Sequence, residues 1–385
     1  MKRVGWILAV WGMLLFLCPV RADAAALEVA GKSAVLMDVA TGSVLYESNP
    51  HEKLAPASVT KVMTLLLIME AIDSGKIGWE DTVTASETAA SKGGSQIYLK
   101  VGETMTVEDM IKSIAVSSAN DCACAMAEHL CGSEAAFVEQ MNSRAKELGM
   151  NDTNFVNCTG LDDAPEAAEH KTSANDIALM SRELLKNHPD IKKYTTIWMD
   201  TVRDGAFGLA NTNKMVRFYS GCTGLKTGFT SAAGYCLSAS AQRDGLELIA
   251  VVMGSDTSQN RFAACKSMLD YGFANFALYS PSMQEAASVP VVLGKEAAAV
   301  AVPGESPALL LEKAQLSGVT TEVELEDSVT APVSRGQRLG TMTVRSGDRV
   351  LRQIPLVAES AVERKTWGDI FVDLLRRAAM AKPAA

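Results

Sequence analysis

The run CTGLKTGFTSAAGYCLSASAQRDGLELIAVVMG, from Cys222 to Gly254, decides the fold. A turn between Cys222 and Cys236, then Arg243-Asp244-Gly245 between two apolar runs, predicts consecutive antiparallel strands. Downstream, NRFAACKSMLDYGFANF (260–276) repeats its apolar residues at helical spacing. Upstream, SAVLMDVATGSVLYESN (33–49) has two extended runs about Ala40-Thr41-Gly42, a second hairpin. The intervening chain is helical in pattern: from Ala57 to about Ser74, through AEHLCGSEAAFVEQMNSRAKELGM (127–150), and through TSANDIALMSRELLKN (172–187). Strands at both ends of a helical middle predict one mixed α/β domain over residues 25–280.

Past SPSMQE (280–285) the composition shifts to short Val, Leu and Thr runs separated by Gly, Pro, Ser and Asp, which predicts a small β-rich domain over 285–360. TWGDIFVDLLRRAAMAK (366–382) places Trp367, Ile370, Phe371, Leu374, Leu375 and Ala378 on one helical face. A helix over 363–382 with that face suits the membrane interface or docking on its own domain. At the other end, Lys2 and Arg3 precede an apolar run from Val4 to Val20 that ends at Ala22-Asp23-Ala24. That order predicts a cleaved signal peptide over 1–24 and export, with a retained anchor as the alternative.

A net charge of −9 argues against a nucleic-acid partner. Of eight cysteines, Cys18 lies in the apolar run, and the remaining seven cannot all pair. Cys122, Cys124, His129 and Cys131 suggest a metal site, but at about 100° per residue two of them face away from the other two. They read as buried thiols. Cys222 and Cys236 flank a turn, and a disulfide between them is left open.

In APASVTKVMTLLL (55–67) the Ser58 hydroxyl and the Lys61 amine stand three residues apart, so a helix puts them on one face. The apolar run around them buries the lysine and lowers its pKa, as a lysine base requires. A second Ser-x-x-Lys, Ser143 to Lys146, lies on a solvated helical face, so the pattern alone decides little. Lys226-Thr227-Gly228 occurs once and on a strand, where a lysine beside a glycine reaches an anionic substrate while the backbone stays approachable.

The ordered set Ser58-Val59-Thr60-Lys61, Ser118-Ala119-Asn120 and Lys226-Thr227-Gly228 resembles the penicillin-recognising serine acyl-enzymes. Within them the chain is similar to the low-molecular-weight penicillin-binding proteins, the serine-type D-alanyl-D-alanine carboxypeptidases. APASVTKVMT, NCTGLDD, NTNKMV, GLKTGFTSAAGYCL and MLDYGF carry the likeness over nearly all of the chain. The resemblance implies a β-lactamase/transpeptidase-like domain, an antiparallel sheet with flanking helices and a helical subdomain, followed by the β-rich domain and terminal helix. It also implies action on peptidoglycan stem peptides, inhibition by β-lactams, roles in wall remodelling and cell shape, and no metal or cofactor.

By the same resemblance Ser58 is the nucleophile, Lys61 its base and Ser118 the proton relay between Lys61 and Lys226. Asn120 would hold the substrate's peptide carbonyl, Lys226 would tune the field at Ser118, and Thr227 and Arg261 would face the terminal carboxylate. Gly228 leads to Phe229, whose amide pairs with that of Ser58 as the oxyanion hole. Class A β-lactamases add a Glu-x-x-Leu-Asn run; only Glu183 to Asn187 has that spacing here, without the leucine and inside a helical pattern. Slow loss of a penicillin adduct is therefore expected. Endopeptidase, β-lactamase and pure binding functions remain as rivals.

Ser-Ala-Asn-Asp occurs at Ser118 and again at Ser173, each ahead of an apolar helical run, so each reads locally as a capping box. Both lie between the Ser58 helix and the Lys226 strand, but only Ser118 stands at the interval that the resemblance implies. Its cap is therefore expected to be partial or missing, and that of Ser173 intact.

Overall fold

The structure, a computed structural model, describes residues 27–281 and 287–380. The signal-peptide reading of 1–24 lies outside them. Five antiparallel strands form the main sheet: β1 (Ser33–Asp38), β2 (Val44–Ser48), β3 (Cys222–Thr230), β4 (Gly234–Arg243) and β5 (Leu246–Ser255), in the order β2-β1-β5-β4-β3. Both predicted hairpins are present. β3, carrying Lys226 to Phe229, is an edge, so one side of its backbone faces no other strand of the sheet.

β5 explains why LIAVVMG (248–254) reads as an unbroken apolar run: all ten residues of the strand are buried. Ile249, Val251 and Met253 enter one core, while Leu248, Ala250 and Val252 enter the other. The first core holds the helices between β2 and β3: α1 (Lys61–Asp73), α2 (Val107–Ser117), α3 (Asn120–Cys131), α4 (Glu134–Glu147) and α5 (Ala174–Asn187). The second lies under α6 (Ser258–Asn275). α1 is apolar nearly all round because it runs through the middle of the first core, which is what such a helix needs.

The β-rich domain has a six-stranded sheet with Val319–Leu325 at one edge and Val329–Thr330 at the other, around its own core. Phe276–Tyr279, directly after α6, pairs with Leu309–Glu312 of this region and joins the two units. α7 (Trp367–Met380) follows, started by a reciprocal cap in which Asp369 N donates to Thr366 Oγ1 (3.3 Å) and Thr366 N to Asp369 Oδ2 (2.8 Å).

The suggested disulfide is not formed. Cys236 lies opposite Gly228 and Cys222 opposite Ala241, at different ends of the hairpin, and both are free thiols. Cys122 and Cys124 are buried in the first core, Cys131 is half-buried and His129 is exposed although it shares a helical face with Cys122, so the four side chains do not converge on one point.

Candidate active site

Ser58 sits in a single tight helical turn, Ala57–Thr60, that feeds directly into α1. Ala57 has φ 49°, a left-handed conformation seldom adopted outside glycine, and this bends the chain just before Ser58. The Lys61 ammonium donates to Ser58 Oγ at 3.0 Å and to the Thr159 carbonyl at 2.8 Å. Lys61 is fully buried, and burial pulls its pKa down to about 7 against the raising effect of Cys158 and Asp121.

The loop 157–161 is moulded onto that turn. Asn157 Oδ1 accepts from the amides of Thr159 (3.1 Å) and Gly160 (2.7 Å), fixing the carbonyl that Lys61 uses. At Gly160, φ is +80° and an added Cβ would lie 1.8 Å from the Ala57 carbonyl oxygen. Behind the turn, His170 Nδ1 accepts from Val156 N at 3.1 Å, so Nε2 carries the proton and donates to Thr60 Oγ1 at 2.9 Å. Burial lowers the His170 pKa to about 4, with Lys61 and Lys171 adding to the effect, which keeps this bridge neutral.

Ser118 occupies the corner between α2 and α3 with φ 65° and ψ 29°. Its hydroxyl is buried, caps nothing and bonds neither lysine; it has no partner among the described residues. Ser173, by contrast, accepts from Asp176 N at 3.2 Å as the cap of α5. The reciprocal half expected of each box is replaced by tertiary bonds: Asp121 accepts from Ile97 N (3.1 Å) and Leu99 N (3.0 Å), Asp176 from Asp152 N (2.9 Å). Asn120 donates one amide hydrogen to the Gly93 carbonyl at 2.8 Å, leaving the other free and Oδ1 without a protein partner among the described residues.

Across the cleft, Gly228 is the closest approach of β3: a Cβ there would lie 2.6 Å from Pro56 O and 3.1 Å from Ser58 N. Lys226 is buried, with its pKa held well below the usual value by burial and by the Lys61 and Arg261 charges. Thr227 Oγ1 meets Thr212 Oγ1 at 2.6 Å, and Thr212 N donates to Val116 O at 3.2 Å, tying β3 to the end of α2 just before Ser118. The three sequence motifs thus converge on one cleft.

A profile of the D-alanyl-D-alanine carboxypeptidase family matches residues 20–257, and one of the penicillin-binding protein 5 C-terminal domain matches 273–364. The chain belongs to the D-alanyl-D-alanine carboxypeptidase family. It is 44% identical over 353 residues to D-alanyl-D-alanine carboxypeptidase DacF of Bacillus subtilis (strain 168), covering 90% of this chain and 88% of that one. Penicillin-binding protein 5 from Haemophilus influenzae has the same fold, with a TM-score of 0.73 at 30% identity over 88% of this chain and 98% of its own. Penicillin-binding protein D2 from Listeria monocytogenes, solved in its ampicillin-bound form, aligns over 64% of this chain and 99% of its own, at 32% identity and a TM-score of 0.59.

Among the residues this carboxypeptidase family suggested, Arg261 stands in an unexpected relation to the cleft. It is neither a surface residue nor open to the cleft by its full fork: Nη1 donates to the carbonyls of Gly228 (2.9 Å) and Cys236 (3.2 Å) from beneath the β3–β4 hairpin. Glu183, the residue at β-lactamase spacing, is bound to Arg144 at 2.7 Å, alongside Glu70 near the far end of α1. Sequence reasoning missed Asn157, Thr159, Gly160, His170 and Thr212. NCTGLDD carried the first three in plain view, but what meets Lys61 and Ala57 there is the Thr159 carbonyl and the bare Gly160 backbone, held by the Asn157 side chain, and such backbone contacts are not announced by side-chain chemistry.

Proposed function

We propose that this chain is an exported serine-type D-alanyl-D-alanine carboxypeptidase that removes the terminal D-alanine from peptidoglycan pentapeptide stems through an acyl-enzyme on Ser58. The observation that carries this reading is the buried Lys61, 3.0 Å from Ser58 Oγ and with its pKa lowered to about 7. A neutral amine there accepts the Ser58 proton as Oγ attacks the penultimate D-alanine carbonyl. The amides of Ser58 and Phe229 receive the oxyanion, and Ser118 passes a proton to the departing D-alanine amine. Lys61 then activates the water that hydrolyses the ester. Asn120 holds the peptide carbonyl. Thr227 holds the terminal carboxylate, Lys226 tunes the field at Ser118, and Arg261 supports that end of the site by fixing the Gly228 carbonyl.

A β-lactam meets the same nucleophile, but its opened ring stays attached and blocks the water. The expected adduct is long-lived because Glu183 is engaged elsewhere. The trimming reaction suits a role in wall remodelling and cell shape at the outer face of the cytoplasmic membrane. No helix among the described residues is long and apolar enough to cross a membrane. The exposed apolar residues of α7 support peripheral attachment instead.

The test measures D-alanine release from a pentapeptide, and the intact mass after exposure to a penicillin, for wild type and Ser58→Ala. Release and a stoichiometric adduct in wild type, both absent in Ser58→Ala, are expected. An adduct that survives the substitution overturns the assignment.

A further inference from the structure

A cavity of about 390 Å³ lies between α6 and the helical turn Met215–Phe218. That volume is at the small end for ligand pockets, which run from roughly 300 to 1,000 Å³. Helical spacing builds its two walls. Met215 and Phe218 stand three residues apart on one, Phe262 and Lys266 four apart on the other with Ala263 beside them. Tyr219 also lines the cavity, and its hydroxyl is already engaged by Asp270 Oδ1 at 2.8 Å. Both walls are tied to the main sheet. Buried Asn213 donates to Gly224 O (3.0 Å) and accepts from Met215 N (3.1 Å), while Arg261 donates to the Gly228 and Cys236 carbonyls. A ligand entering between walls held in this way has little ordering to bring about. Phe218 is 74% exposed, so the cavity leaves a large aromatic ring uncovered.

The charges at this cavity identify what fits it. Lys214 and Lys266, one from each wall, are exposed, and neither meets a carboxylate among the described residues. No acidic residue lines the space, although the chain as a whole carries a net charge of −9. Ser258 and Gln259, the first residues of α6, lie in the same lining, where the helix dipole adds to the positive field. Apolar walls with two cations and no anion suit an amphiphile with a negative head. The small volume suits one chain rather than two. We propose that this cavity is a binding site for a fatty acid, its chain against Met215, Phe218, Phe262 and Ala263 and its carboxylate held by Lys214 and Lys266.

The test is equilibrium titration of the chain with decanoate, hexanoate and decanol below micelle-forming concentrations. Decanoate is expected to bind once per chain. Hexanoate should bind at least roughly tenfold more weakly, because each buried methylene is worth about fourfold. Decanol, with the same chain and no charge, should bind roughly fivefold or more weakly, the size of one or two exposed charge pairs. Lys214→Gln with Lys266→Gln should bring decanoate down to the decanol level, and Ala263→Trp, which fills the cavity, should abolish binding of both. All three positions are exposed, so each variant should melt at the wild-type temperature, which reports that it is folded. No binding of decanoate, equal binding of decanol, or binding that Ala263→Trp leaves unchanged overturns the site; the last outcome would put the chain on another apolar surface, α7 included. None of these readouts involves D-alanine release, so the reading of Ser58 stands or falls separately.

Discussion

In the proposed mechanism Lys61 concentrates the chemistry in a single proton equilibrium. Burial brings its pKa from 10.5 to about 7, so the amine that Ser58 needs becomes abundant as pH rises through neutrality. Acylation by a penicillin, followed by stopped flow, should increase with pH about a midpoint near 7 and then level off; a flat profile would remove Lys61 as the base. The same shift fixes the sign for stability. Between about 7 and 10.5 the folded chain holds fewer protons at Lys61 than the unfolded chain, so this residue's contribution becomes more favourable as pH rises across that window. Below about 7 its burial penalty is fully present.

Ser118 and Ser173 divide the same way, between chemistry and folding. Ser173→Ala removes a cap and should lower stability by about 1 kcal/mol while leaving acylation intact. Ser118→Ala removes a hydroxyl that bonds nothing among the described residues and should leave the melting temperature unchanged while slowing D-alanine release by roughly 10²-fold or more. Equal effects of the two on unfolding and on rate would show that Ser118 is only a corner residue.

The elements of this fold meet the site through backbone, and that is where the sequence was least legible. Hairpins, helices and the three motifs were legible because apolar period and turn residues report local structure directly. The fit of loop 157–161 against Ala57, and of β3 against Ser58, was not, because close approach leaves only an unobtrusive glycine in the sequence. Gly160→Ala would force a Cβ to 1.8 Å from a carbonyl oxygen in a left-handed conformation, whereas Gly75→Ala has a similar φ of +71° and meets nothing within 4 Å. Gly75→Ala is therefore expected to cost about 1 kcal/mol, and Gly160→Ala well over ~2 kcal/mol, by denaturant unfolding. Cys222 and Cys236 misled for a related reason. Residues flanking a turn need a register before they can be paired, and the register here separates them by the length of the hairpin.

At the scale of the whole molecule, the catalytic cleft and α7 belong to different units, joined by the pairing of Phe276–Tyr279 with Leu309–Glu312. α7 leaves Trp367 87%, Phe371 63%, Leu374 60% and Leu375 54% exposed, apolar surface that the proposed interfacial attachment would cover. Its start is nonetheless fixed, since Lys365 N donates to Leu293 O at 2.8 Å. Burying even part of each side chain in a bilayer interface yields on the order of 4–8 kcal/mol in all, a reversible attachment rather than an insertion. Phe371→Asp with Leu375→Asp should therefore move the protein from the membrane to the soluble fraction of fractionated cells. Release of D-alanine from a small soluble peptide should remain at the wild-type rate, because both residues are exposed on α7, beyond the β-rich domain in the chain. Unchanged membrane recovery would mean that α7 is not the anchor, and a fall in soluble-peptide turnover would mean that the two units are coupled beyond their shared strand pair.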